Sequence, residues 1–214
     1  MEAAMPRGAA AADLRPEPAP RAGGGPPPRG GSAVTNGWIA IVMMLAAETM
    51  FFTGLIGAFI VLRGTVRPWP PPDQPRLPLA VTWVNTGVLF LSAVTMYRAV
   101  AALKSARPRA ARLALIETAL LGATFLCIQG SEWTRLLLHG LTASSSLYGA
   151  TFYTLIGVHG LHVLAAVGWL LALTIRFRGD RFSLKRAAGI ELLALYWYFV
   201  CGLWAILFPL VYLI

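Results

Sequence analysis

His159 and His162 stand three positions apart in a stretch, Leu147 to Ile175, that contains no Asp, Glu, Lys or Arg. Two imidazoles at i and i+3 on a helix could share a metal ion. A second residue of the same kind is Glu48, the single charge between Trp38 and Leu62. Carboxyl and imidazole groups in apolar surroundings can also relay protons, provided that water links them. A complete metal cage needs further ligands, and an isolated Glu is a poor supply. The spacing therefore predicts histidines that hold helices together by hydrogen bonds to Glu, Ser or Thr. Tyr148, Phe152, Leu155, His159 and His162 follow one another at spacings of three and four, which predicts one common face. Glu48 is predicted to share a face with Phe51, Phe52, Leu55 and Phe59, with Gly54 and Gly57 allowing a neighbouring helix to come close.

The elements that position these groups follow from composition. Apolar residues make up 57% of the 214-residue chain and charged residues only 13%, far below the roughly 25% of a soluble domain. A bilayer core needs about 20 predominantly apolar residues per helix. Five stretches meet that requirement: Trp38 to Leu62, Leu79 to Tyr97, Leu113 to Ser131, Leu147 to Ile175 and Ala187 to Ile214. None alternates at period two, so membrane β-strands are excluded. The fold class is an all-α bundle of five transmembrane helices, residues 36–214. Residues 1–35, rich in Ala, Pro, Gly and Arg, have too few large apolar side chains to repay ordering and read as a disordered tail. The segment lacks the apolar core of a signal peptide. Pro68 to Pro78 reads as a stiff, extended connection between the first two spans.

All 18 Lys and Arg lie in the tail, in connections or at span ends, which argues for membrane flanks rather than a nucleic-acid surface. With the N-terminus in the cytoplasm, 14 of them fall on the inner side and 4 on the outer. The positive-inside rule thus predicts an inner N-terminus and an outer C-terminus. Among other polar groups, Asn85 and Ser92 read as interhelical contacts. Gln129 and Glu132 read as interfacial. Glu117 and Glu191 read as structural partners of Arg112 and Arg186. Cys127 and Cys201 read as packed small hydrophobes. The chain has no GxxxxGKT, GxGxxG, CxxCH or HExxH, and only 3 His. Nucleotide binding, covalent haem and a redox core of two haems and a copper therefore have no foothold.

Five segments carry a family resemblance. ETMFFTGLIGAF from Glu48 to Phe59, VNTGVLFLSAVTM from Val84 to Met96, QGSEW from Gln129 to Trp133, SLYGATFYTLIGVHGLHVL from Ser146 to Leu164, and YWYFVCGLW from Tyr196 to Trp204 occur in that order. They resemble haem-copper oxidase subunit III in its five-helix bacterial form, which lacks the first two helices of the seven-helix form. The resemblance implies a non-catalytic subunit in a bacterial cell membrane, beside oxidase subunits I and II. It implies that haem and copper sit in those partners and that this chain binds no cofactor, with membrane lipid, phospholipid included, as its other contact. It implies support of subunit I, of proton uptake and of oxygen access. Glu48 corresponds to the family's carbodiimide-reactive glutamate, and Asn85, Glu132, His159, His162, Glu191 and Trp197 fall on signature positions. Tyr198 and Cys201 depart from it, replacing His and Asp. A quinol oxidase, a nitric oxide reductase and a small proton-coupled transporter stand as the alternative settings.

Overall fold

A computed structural model describes residues 30–71, 77–176 and 184–213, with side chains from residue 36 onward and, in the last segment, from residue 187. The helices are α1 (Gly30–Thr65), α2 (Leu79–Lys104), α3 (Pro108–Leu138), α4 (Leu147–Arg176) and α5 (Leu184–Phe208). A π-helical turn, Pro209–Leu213, extends α5. Proline at 209 lacks the N–H that would bond back to residue 205, and the wider winding begins there. All five helices are long and apolar enough to cross a membrane, and the described residues contain no strand.

Helix boundaries follow local chemistry. The described part of α1 begins at Gly30, inside the segment expected to be a disordered tail. Residues 1–29 lie outside the described residues, as do residues 72–76 of the Pro68 to Pro78 connection. α2 ends in a turn where the N–H of Ala106 meets Leu103 O at 3.1 Å and that of Arg107 meets Ala102 O at 2.9 Å. This 6→1 and 5→2 pattern is the Schellman closure, and Ala106 adopts a left-handed φ of 54° to make it. Pro108 then occupies the first turn of α3, where its missing N–H costs nothing. α3 ends with the same closure around Gly140, φ 87°, with buried Leu141 returning its N–H to Leu136 O at 3.0 Å. α3 therefore runs past Ser131, and the connection to α4 shrinks. Ser146 Oγ accepts the Gly149 N–H at 3.0 Å and caps α4.

α2 and α3 form an antiparallel pair, and α5 packs against α1, α2 and α4. Between membrane helices there is no water to expel, so close packing and interhelical hydrogen bonds hold the bundle. α5 supplies both, with Trp197, Val200, Cys201, Trp204, Leu207 and Phe208 all buried. α1 is the peripheral helix: it packs on α4 and α5 through Ile41, Phe52 and Phe59 and leaves Met43, Met50, Ile60 and Val61 exposed. Beyond its end Trp69 folds back edge-on against Phe59 and Tyr148, at 6.0 and 5.2 Å between ring centres.

Candidate functional site

The pair that joins α1 to α4 is Glu48 and His162. His162 Nε2 lies 2.9 Å from Glu48 Oε2, with both side chains half-buried. His162 Nδ1 lies 2.7 Å from Val158 O. A carbonyl only accepts, so Nδ1 carries a proton. The short Nε2–Oε2 contact then needs one further proton, residing on the imidazole or on the carboxyl. The two side chains form a one-proton couple at the α1–α4 seam, with Phe52 edge-on to the imidazole at 5.1 Å.

His159 does something else. Three residues on a helix turn a side chain by about 60° from its neighbour, enough to address a different helix. His159 is buried and stacks on Trp204 of α5, with ring centres 5.1 Å apart and planes at 25°. Neither ring nitrogen has a hydrogen-bond partner. The predicted common face of the two histidines is therefore divided between α5 and α1. His162 makes the expected bond to Glu, and His159 makes none. Among the described residues no group of three His, Cys, Asp or Glu is placed to hold a metal ion.

The remaining polar residues tie α5 and α3 to α2. Trp197 Nε1 donates to Ser92 Oγ at 3.1 Å, and Trp204 Nε1 donates to Thr86 Oγ1 at 2.9 Å. Asn85 Nδ2 donates to Phe125 O at 3.2 Å. Thr95 and Thr118 hydroxyls meet at 2.8 Å across the α2–α3 seam. At the other end of α3, Gln129 and Glu132 are buried within the bundle. Gln129 Nε2 donates to Tyr212 Oη at 3.2 Å, and exposed Arg135 reaches Glu132 at 3.1 Å from the neighbouring turn.

One ion-pair partner differs from expectation, and another pair is additional to those expected. Glu117 meets Arg98 at 3.4 Å across α2–α3 rather than Arg112 on its own helix, and Glu191 meets Lys104 at 3.9 Å. The Arg186 side chain lies outside the described residues. Antiparallel neighbours bring residues of adjacent helices as close as successive turns of one helix, and a sequence shows only the latter. Among the described residues Gly54 and Gly57 are not close-approach points, since a Cβ at either would meet nothing within 4 Å. That role belongs to Gly122, under Trp197, and to Gly160, where an added Cβ would lie 3.1 Å from the Trp133 ring. Cys201 is buried as expected, whereas Cys127 is exposed on the outside of α3.

The fold and these seams define a multi-pass helical membrane protein held together by tryptophan and hydroxyl contacts around a central α5. A sequence model of the family described as cytochrome c oxidase subunit III matches residues 29–214. The cytochrome c oxidase subunit 3 of Synechocystis sp. is 36% identical over 177 residues, covering 81% of this chain and 74% of that protein. The subunit 3 of Thermostichus vulcanus is 32% identical over 179 residues, covering 82% and 86%. That of the earthworm Lumbricus terrestris is 34% identical over 187 residues, covering 84% and 71%. The chain belongs to the cytochrome c oxidase subunit III family.

Proposed function

We propose that this chain is the accessory, non-redox third subunit of an aerobic haem-copper oxidase in a bacterial cell membrane. It packs beside subunits I and II, which carry the haem and copper, and itself binds neither. Its N-terminus is cytoplasmic and its C-terminus outside, the arrangement favoured by the distribution of Lys and Arg. Its work is to stabilise subunit I during turnover and to support proton uptake and oxygen access.

The observation that carries this reading is the Glu48–His162 couple. A carboxyl and an imidazole sharing one proton at 2.9 Å, half-buried on the peripheral helix, suit a role at the margin of another protein. Intramembrane ionisable groups are costly and persist where they serve a function or a partner. The exposed apolar side of α1 offers surface for such a partner.

A tagged full chain purified in mild detergent tests the proposal. Co-purification with a haem-bearing subunit, seen in the optical difference spectrum and by mass spectrometry, is the expected result. The companion subunits then name the electron donor, cytochrome c or quinol, and separate oxygen from nitric oxide chemistry. A monodisperse, haem-free chain that purifies alone would overturn the proposal in favour of a small proton-coupled transporter.

A further inference from the structure

The hairpin end of α2 and α3 carries a cleft of ≈370 Å³ that neither α1 nor α4 lines. Its floor is apolar and shallow, built from Ala101, Ala102, Ala110, Leu113 and Ala114. Its rim is polar, with Tyr97, Arg98, Ser105, Arg107 and Glu117. We infer that this cleft binds an anionic glycerophospholipid, its phosphate on Arg98 and Arg107 and one acyl chain along the alanines and Leu113.

Charge and placement carry the inference. Two guanidiniums face one carboxylate on the rim. The Arg98–Glu117 contact, 3.4 Å with both side chains largely exposed, leaves donors of Arg98 free for a phosphate. The first turn of α3 opens at the same place, adding the positive end of its dipole. Arg109 and Arg112 stand close by in sequence, so the carboxylate of Glu117 is outweighed. A free phosphate would use the rim alone. The alanine floor extends from that rim along α2 and α3, and small side chains there leave room for a hydrocarbon chain. Tyr97 is exposed at the rim, where an aromatic ring with a hydroxyl suits the headgroup level. A basic flank next to a membrane helix attracts anionic lipid by an amount equivalent to about five-fold in affinity per Lys or Arg.

Photolabelling tests the inference on the full chain reconstituted in phosphatidylcholine nanodiscs. The probe is phosphatidylglycerol with a diazirine in one acyl chain, and crosslinks are mapped by mass spectrometry. Expected is labelling within residues 97–117, competed by unlabelled phosphatidylglycerol and reduced about five-fold by Arg107→Gln. The Arg98→Gln/Arg107→Gln variant should lose it. Glu117→Gln removes the opposing carboxylate and should strengthen labelling, a gain that a misfolded chain would not show. Equal labelling by a phosphatidylcholine probe, or unchanged labelling in these variants, would overturn the inference. Competition by inorganic phosphate at the lipid's own concentrations would replace the lipid with a free anion. The test needs no oxidase partner, so it can fail while the subunit reading stands, and the reverse.

Discussion

Gly122 sits beneath Trp197, and the contact leaves no room for a methyl group. A Cβ built at 122 would lie 2.6 Å from Trp197 Cη2 and 2.9 Å from Val167 Cγ2. Carbon atoms rest at about 3.5–4.0 Å. In Gly122→Ala either α3 or the indole must therefore move by roughly 1 Å. The indole is poorly placed to move, because it is buried and its Nε1 is held by Ser92 Oγ at 3.1 Å. Overpacking of this kind costs about 1–3 kcal/mol. Breaking the indole bond adds roughly 0.6 kcal/mol, the average for a hydrogen bond between membrane helices. The expected destabilisation is about 2–4 kcal/mol. Unfolding in mixed micelles, titrated with SDS and followed by circular dichroism, measures it. Trp197→Phe removes the ring atoms in the way. In the double variant the costs should fall short of additive by about 1 kcal/mol or more, the coupling expected of residues in contact. Gly122→Ala unfolding at the parental SDS fraction, or strict additivity with Trp197→Phe, would refute the packing argument.

Glu48→Gln keeps a side chain able to bond His162 Nε2, so the complex should still assemble and short activity assays should change little. Absence of the complex from Glu48→Gln membranes would show instead that the carboxyl is required for assembly. His159 has two unpartnered nitrogens in a stacked ring. His159→Phe should therefore be neutral or stabilising by up to about 1–3 kcal/mol. His159→Ala should cost about 2–5 kcal/mol through the cavity it leaves, with no change in metal content of the purified chain. Loss of a metal equivalent in either variant would overturn this account of His159. Ala106 holds a left-handed φ that glycine adopts freely. Ala106→Gly should therefore raise stability by about 1 kcal/mol in the same SDS titration.

The five helices were legible because hydrocarbon imposes length and polarity on each span separately, and one sequence window carries that information. Interior boundaries were close: the fourth span was expected at 147–175 and α4 is Leu147–Arg176. The first and third helices ran further because helices do not stop at the membrane edge. α3 stops instead at a left-handed residue, Gly140. Partnering was less legible. Glu48 and His162 were both picked out for their cost in lipid, yet 114 positions separate them and only the α1–α4 seam joins them. Glycines misled for a related reason. Gly54 and Gly57 look like a close-approach surface in sequence, but a glycine acts that way only when a large side chain stands opposite. Trp197 does so for Gly122, 75 positions away in the chain.

The departures in the last helix have a physical reading in these seams. Cys201 is buried with its Sγ 3.9 Å from Leu89 O. An aspartate there would turn an acceptor toward a carbonyl, and it would need a proton or a cation brought by another residue. A thiol is a weak donor and needs neither. Tyr198, one residue past Trp197, is exposed toward the outside of the bundle, so its replacement leaves the core contacts alone. The attachment of α5 to α2 rests on Trp197–Ser92 and Trp204–Thr86, which flank Cys201 on the same seam. Polar residues between two such anchors can be lost without loss of the fold. A polar pair outside them, such as Glu48 and His162 on the peripheral helix, has no such support. On the proposed reading, the cost of placing two ionisable groups there is met by work at that surface rather than by the stability of the bundle.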